Sequence, residues 1–387
     1  MSMSGTELTI LMPCLNEEEA LPFCLKKAFH FLKENQVEGE VLVVDNGSSD
    51  NSGNLAIAGG AVLVKETTKG YGAAIMAGLK QATGEYIIIG DADDSYDFSD
   101  LMGFLTSLRL GSDLVVGNRF RGGIKKNAMP FLHRYLGNPV LSFLGQIFFN
   151  ISIKDFHCGL RGIRKEVLEM LDLRTTGMEF ASEMIVKAAL HNLAIAEVPT
   201  ILYEDKRSRR SHLKTWRDGW RHLRFLLLFS PKWLFLIPGM VLMALGILGT
   251  VLLAVGPLIL GHMKLDIHTL VYTSAFILLG FQFTSFYFFS RIYAAVHGLW
   301  PGQQTFLQNF SRRFRLETGI LSGLVLVVAG IYLMAKSFAY WRQTHFGNID
   351  PVVVLRWVVP SALLIVLGVQ LVVTFFYLSF LTIKSKH

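Results

Sequence analysis

Only three of the 387 residues are cysteine, Cys14, Cys24 and Cys158, and none stands in a C-x-x-C pair. That spacing leaves ordinary reduced, mostly buried thiols in a cytosolic domain rather than a disulfide framework. No secretory signal opens the chain: the apolar run 8–12 is too short for an h-region, and no basic stretch precedes it. The first half is therefore expected to stay on the side of the membrane where it is made. A third glycine is missing after Gly70 and Gly72, since Ile75 takes its place, and no G-x-x-x-x-G-K-[ST] lies nearby. Neither a dinucleotide fingerprint nor a P-loop is supported. Basic residues do not spread over the first half of the chain, so nucleic acid is not an expected partner.

What is present divides in two. To about residue 230, charged residues and apolar runs alternate as in a soluble α/β domain. Beyond Trp233 long apolar stretches are joined by short polar loops, within a chain that is 51% hydrophobic and carries a net charge of +7. Four stretches, 233–260, 269–290, 318–335 and 353–381, reach the ~20 apolar residues that cross a hydrocarbon core. Pro238 and Pro360 are tolerable in such helices. Lys206, Arg207, Arg209, Arg210, Lys214, Arg217, Arg221, Arg224 and Lys232 precede the first span. Arg291, Arg312, Arg313 and Arg315 lie between the second and third, and Lys384 and Lys386 in the tail, while the other two loops are poorer in Lys and Arg. The positive-inside rule then makes the head, both termini and the middle loop cytoplasmic.

The expected organisation is a cytosolic domain over 1–210, a basic loop with an amphipathic interfacial helix over 211–232, and an all-α four-helix transmembrane domain over 233–387. In the middle piece Trp216, Trp220, Leu223 and Leu227 fall on one helical stripe flanked by Arg217, Arg221 and Arg224. That pattern suits a helix lying in the lipid headgroup region. A helix packed on the domain's own core is the plain alternative.

In the first half, runs at 8–12, 40–44, 61–65, 86–89 and 114–116 read as buried parallel strands. Helical patterns lie between them at 18–34, 50–58, 71–82 and 99–110. The alternation predicts a Rossmann-like, mostly parallel, doubly wound sheet whose ligands sit at the carboxyl ends of the strands. The residues that follow each strand are in turn Pro13, Asn16 and Glu17; Asp45, Asn46, Gly47, Ser48, Ser49 and Asp50; Lys69, Gly70, Tyr71 and Gly72; Asp91, Ala92, Asp93, Asp94 and Ser95; Gly117, Asn118 and Arg119. Five such ends in succession describe one cleft.

Asp91 and Asp93 carry the sharpest signal. Two carboxylates at i and i+2 directly after an apolar run repel one another unless a hard divalent cation, Mg²⁺ or Mn²⁺, sits between them. Such a cation makes a diphosphate a good leaving group. An acidic turn capping the helix near Ser99 is the bland reading of the same residues. Lys69 and Gly70, at a helix start, suit the approach of a phosphate.

The ordered set Pro13/Asn16/Glu17, Asp45 with Gly47-Ser48-Ser49-Asp50, and Asp91-Ala92-Asp93 resembles family 2 glycosyltransferases of GT-A fold, in particular the polyprenyl-phosphate hexosyltransferases. The likeness runs over roughly 6–232. It implies that Pro13, Asn16, Glu17, Asp45, Gly47 and Ser48 hold base and ribose, and that Lys69, Gly70, Asp91 and Ala92 meet the donor. It makes Asp93 the principal metal ligand, beside Asp91 and Ser95. Arg119 and Arg134 match arginines for the transfer site and the acceptor phosphate, and Arg210-Ser211-His212 a loop closing over the donor diphosphate. Two departures stand out: Ser95 occupies a position where relatives often carry Gln, and His212 replaces Lys, which makes that loop's charge pH-dependent.

The resemblance implies a nucleotide-sugar donor (UDP- or GDP-hexose), a polyprenyl phosphate acceptor and membrane lipids as partners; association with a second copy stays open. A lipid phosphate arrives ionised and needs cations rather than a general base. Single in-line displacement predicts inversion at the sugar carbon. Apolar side chains crowd around Arg134 over residues 130–149, as a surface meeting a lipid tail would require. A processive polysaccharide synthase would carry Q-x-x-R-W, but the one Arg-Trp pair, Arg356-Trp357, has Val353 in place of Gln. Transfer to another acceptor, and a non-catalytic membrane protein with a GT-A head, are the remaining alternatives.

Overall fold

The computed structural model describes residues 5–206, 215–297, 309–310 and 315–382. Contacts divide the chain into two compact units, Met1–Phe229 and Ser230–His387.

The first unit alternates strands and helices: β1 (Leu8–Cys14), α1 (Leu21–Glu34), β2 (Gly39–Asp45), α2 (Ser52–Ala58), β3 (Val62–Lys65), α3 (Tyr71–Gln81), β4 (Tyr86–Ile89), α4 (Met102–Arg109) and β5 (Leu114–Asn118). After β5 come the single turn α5 (Arg119–Gly122), a π-helical turn at His133–Gly137 running into α6 (Asn138–Phe149), β6 (Arg161–Arg164), α7 (Leu168–Leu171), α8 (Phe180–Leu190), β7 (Ile195–Pro199) and α9 (Thr215–Leu228). The seven strands form one sheet in the order β3-β2-β1-β4-β6-β5-β7. Only β6 runs antiparallel to its neighbours. β1 is buried along its whole length, as its unbroken apolar run requires of a central parallel strand.

This order places a topological switch point between β1 and β4. The chain winds outward from β1 through β2 to β3, then crosses back to β4 on the other side of β1. Pairing of β1 with β4 stops at Leu11↔Ile89, whereas pairing with β2 continues to Cys14↔Asp45. The two strands part beyond that register, and Pro13, which has no N–H to donate, falls where no partner is needed on the β4 side. The crevice of the sheet opens there.

β6 and β7 were not among the strands read from the sequence. β6 carries an arginine at each end, and Gly162 in its middle lets Leu108 of α4 close over the sheet. α9 packs one face on the core of the first unit and leaves the two tryptophans of the other exposed. Phe225 and Leu226 join the core of the first unit, with Asp218 and His222 also buried, while Trp216 and Trp220 are 79% and 58% exposed.

The second unit contains α10 (Ile237–Val255), entered through a π-helical turn at Lys232–Leu236, then a hairpin of β8 (Leu258–Leu260) and β9 (Met263–Leu265), α11 (Ile267–Val296), α12 (Leu316–Gln343) and α13 (Pro351–Thr382). Four helices among the described residues are long and apolar enough to cross a membrane. The first expected span, to residue 260, is too long: α10 ends at Val255, because Gly256 is extended and Pro257 follows it. Glycines bring these helices together as lipid-embedded helices require. A Cβ on Gly323 would lie 2.6 Å from the Gly368 carbonyl oxygen, and one on Gly246 2.7 Å from that of Thr273. Arg356 ion-pairs with Asp266 in this unit.

Candidate active site

The loops after β1 and β2 are stitched into one wall. Asn16, at φ 56°, donates its backbone N–H to Ser48 Oγ at 2.9 Å and accepts from Ser49 N at 2.7 Å through its side-chain oxygen. Glu17 N donates to Ser52 Oγ at 2.8 Å, and Ser48 N to Asp45 Oδ1 at 2.8 Å. Gly47 turns the chain at φ 86°, a conformation that favours glycine. Asn46, which the sequence reading left without a role, ties this wall to the next loop: its amide donates to the Thr68 carbonyl at 2.8 Å and its oxygen accepts from Gly70 N at 2.8 Å. Pro13, Asn16, Glu17, Asp45, Gly47 and Ser48 thus lie together on the rim beside the switch point.

The turn after β4 stands on the other lip. Asp91 is half-buried and takes a hydrogen bond from the Tyr71 hydroxyl; burial first, then the Asp91 charge, pushes that phenol well above its ordinary range. Gly159 leaves no space for a Cβ against Asp91 Oδ2. Ala92 is buried beneath the turn and Asp93 is 5% exposed. Asp93 Oδ1 accepts from Ser95 N at 3.0 Å and from Ser95 Oγ at 2.5 Å, so the serine aims that carboxylate. Ser95 was expected among the metal ligands; its hydroxyl proton is committed to Asp93.

A hard divalent cation fits this donor set. The carboxylates are oxygen donors two residues apart; no group of three or more His, Cys, Asp or Glu converges among the described residues, at this turn included. A protein offering so few ligands suits an ion that keeps water and phosphate oxygens in its shell.

Gly70 and Gly72 answer first to packing. A Cβ on either would run into the carbonyl oxygens of Thr176 and Thr175, and Ala73 N donates to the Thr176 carbonyl at 3.2 Å. That segment is in turn pinned by buried Glu183, which accepts from Thr175 N at 2.8 Å and pairs with Lys187 at 2.8 Å. Lys69 beside them is exposed and has no ion pair among the described residues.

The two arginines expected at the transfer site differ. Arg119 is buried and bound by fully buried Asp155, through Nε and Nη2 at 2.7 Å each and through its backbone N–H at 3.0 Å. Arg134 is half-buried, stacks on Tyr135 at 5.5 Å, and has no carboxylate within ion-pair distance among the described residues. Arg161, of the Cys158-Gly159-Leu160-Arg161 turn, donates to the carbonyls of Phe156, Cys158 and Ala181 and serves the fold. The Tyr96 oxygen accepts from Gly159 N at 2.9 Å, and it feels the charges of both Arg119 and Asp91. Arg210, Ser211 and His212 lie outside the described residues. Sequence reasoning missed Asp155 and the Tyr71–Asp91 bond, which pair residues distant in the chain, and Glu183, whose partners are local but whose segment meets Gly70 and Gly72 from far along the chain.

A doubly wound sheet thus carries an acidic pair at its switch point and a buried arginine, Arg119, directly after β5. Residues 9–171 match the model of glycosyl transferase family 2, and residues 288–382 that of the glycosyltransferase family 2 C-terminal transmembrane region. The low-salt glycan biosynthesis hexosyltransferase Agl6 of Haloferax volcanii is 35% identical over 367 residues, covering 94% of this chain and 86% of the relative. A dolichyl-phosphate hexose transferase of the same organism is 29% identical over 194 residues, 50% of this chain and 81% of the relative. Among solved structures, glucosyl-3-phosphoglycerate synthase from Mycobacterium tuberculosis is similar at a TM-score of 0.47 and 20% identity, over 58% of this chain and 80% of that one. The chain belongs to glycosyltransferase family 2. It is a membrane protein and a hexosyltransferase.

Proposed function

We propose that the protein moves a hexose from a UDP- or GDP-sugar to a polyprenyl phosphate at the cytoplasmic membrane face, with inversion, using Mg²⁺ or Mn²⁺. The observation that carries the acceptor is Arg134. It is a cation without a carboxylate partner among the described residues, on a helical stretch whose Phe131, Tyr135, Leu136, Val140 and Phe143 are all exposed. A phosphate with a long apolar tail matches both features, and a water-soluble sugar matches neither. The relative named for dolichyl phosphate supports the same acceptor.

On this reading the wall of Pro13, Asn16, Glu17, Asp45, Gly47 and Ser48 seats the nucleoside. Lys69, Gly70 and Ala92 flank its diphosphate, with Arg210, Ser211 and His212 closing over it. Asp93, aimed by Ser95, and Asp91, held by Tyr71, would be the cation's protein ligands, and a divalent ion held there would supply charge neutralisation for the departing diphosphate. Arg134 places the acceptor phosphate for in-line attack, and Arg119, fixed by Asp155, adds a stationary positive charge. No general base is required, because the acceptor oxygen is already ionised. The Lys and Arg bias of the loops puts the first unit in the cytoplasm. Exposed Trp216 and Trp220 on α9 suit the headgroup region.

Purified protein incubated with Mg²⁺, undecaprenyl phosphate and a panel of radiolabelled UDP- and GDP-hexoses tests this directly. Label entering the organic phase from an α-linked donor, as a β-linked lipid phosphate sugar, is the expected result. An α-linked product rules out single displacement, and transfer to a water-soluble sugar without any lipid phosphate rules out the acceptor.

A further inference from the structure

Asp94 is the acidic residue of the turn that neither the motif nor the mechanism uses. Its backbone is left-handed at φ 60°, and its side chain is 3% exposed. A buried carboxylate needs partners. It has two, from opposite directions: Lys27 Nζ of α1 at 2.8 Å and Lys206 Nζ at 2.7 Å, one on each oxygen. Lys206 is also held over the ring of Phe23 of α1, at 4.1 Å.

Residues 200–206 are stitched to both lips of the crevice. Thr200 N donates to the Asn118 carbonyl at 3.1 Å, Leu202 N to that of Gly123 at 2.9 Å, and Lys125 N to that of Leu202 at 2.9 Å. Further along, Tyr203 N donates to the Ser95 carbonyl at 2.9 Å and Lys206 N to that of Asp93 at 3.2 Å. One short segment therefore spans from the end of β5, where Arg119 sits, to the backbone of Asp93 itself. The Lys27–Asp94–Lys206 bridge locks its far end.

We infer that Asp94 is a positioning residue. With Lys27 and Lys206 it fixes the 91–95 turn against α1 and against the segment from β5, and so sets the aim of the Asp93 carboxylate toward a nucleotide-bound divalent cation. The inference rests on the proposed function for the cation and the nucleotide, and not on the acceptor. Backbone hydrogen bonds alone leave a turn of five residues free to rock. A doubly charged clamp on its one left-handed residue removes that freedom.

The test measures Mn²⁺ binding by the full-length protein in detergent, using electron paramagnetic resonance with UDP or GDP present. Asp94→Asn keeps the shape and tolerates the left-handed backbone but loses the charge. It is expected to weaken Mn²⁺ binding about tenfold, the lower end of what losing an outer-shell partner costs. Lys206→Met is expected to act in the same direction, Lys206→Arg to restore binding, and the double variant to be no weaker than Asp94→Asn, since both remove one interaction. Unchanged Mn²⁺ affinity with a lowered melting temperature shows a purely structural role and overturns the inference, as do additive effects in the double variant. If Asp94→Asn fails to fold, Lys206→Met, at a half-exposed position, carries the same test. Intact protein that binds Mn²⁺ and nucleotide yet makes no lipid product defeats the acceptor reading and leaves this one standing. Intact protein that binds no Mn²⁺ with either nucleotide defeats it.

Discussion

The rim around the β1–β4 crevice and the helical stretch bearing Arg134 lie in one unit and are built on opposite terms. On the rim nearly every polar group is spoken for: Ser48 by Asp45, Ser49 by Asn16, Gly70 by Asn46, Asp93 by Ser95 and Asp94 by two lysines. Around Arg134 the exposed side chains are apolar and meet chiefly one another, Phe131 against Tyr135 and Tyr135 beneath the arginine itself. The difference teaches where binding energy is expected to come from. A preorganised rim loses little entropy when a rigid, charged nucleotide arrives. An exposed apolar face gains by being covered, which suits a ligand that brings its own hydrocarbon.

The largest effect should come from the rim. Asp93→Asn keeps the hydrogen bonds to Ser95 and removes the charge that a cation requires. Sugar transfer should fall by about 10²–10³-fold, the range seen when one electrostatic stabiliser is lost. Steady-state turnover at saturating Mg²⁺, with a melting curve alongside, checks it; near-normal turnover would break the comparison at its strongest point.

Asp155→Ala comes next and acts through stability. Removing it leaves the Arg119 guanidinium buried without its carboxylate, a loss of about 3–5 kcal/mol for a broken buried pair. A fall of the thermal midpoint is the readout. Asp155→Asn should recover part of it, by still accepting from the Arg119 backbone N–H.

Arg134→Gln sharpens the comparison from the other side. No internal partner is stranded, so the melting temperature should hold. Affinity for lipid phosphate should drop by about 1.5–3 kcal/mol, the worth of a charged hydrogen bond. The signature is a raised KM for polyprenyl phosphate, with donor binding unchanged by calorimetry.

Much of the rim was legible in the chain because its signals are local. Apolar runs gave five of the seven strands, and polar residues directly after them gave the lip, including Asp91 and Asp93. The parts that stayed hidden depend on pairs distant in sequence. β6 is invisible as Arg161-Gly162-Ile163-Arg164, because its first arginine is buried only by virtue of carbonyls at Phe156, Cys158 and Ala181. Gly70 and Gly72, beside Lys69 at a helix start, suited the approach of a phosphate, and the chain alone did not show that they also pack against the Thr175 and Thr176 carbonyls, about a hundred residues on. Arg119 and Arg134 are the same residue type in similar local text. Only Asp155, contributed by a loop far downstream, separates a fixed charge from an available one. The stripe on α9 suggested a lipid-facing helix, but periodicity does not say which surroundings each face meets, and the core took Phe225 and Leu226 from beside the stripe.

The smallest prediction concerns how α9 is seated beside α6. His222 donates to or accepts from Ser182 Oγ at 2.9 Å, and its ring lies 4.4 Å from that of His157, whose two ring nitrogens are buried without a hydrogen bond among the described residues. Burial, opposed by Asp218 and aided by Arg161 and Arg221, lowers the His222 pKa to about 4; burial and the neighbouring His222, Arg119 and Arg161 hold His157 well below its ordinary value. The unfolded chain therefore binds more protons than the folded one between the ordinary histidine pKa, ~6.5, and the lowered value. Stability is complete above about pH 6.5 and falls as the pH drops through that window, by roughly 1.4 kcal/mol per pH unit for each histidine that must stay neutral. Melting curves of the intact protein at pH 7.5 and 5.5 should show the loss. His222→Gln, which cannot take up a proton, should reduce the slope by about half while leaving His157 to supply the rest. A slope identical in the variant would mean that α9 is seated independently of this pair, and that the acceptor side, like the rim, is already fixed without it.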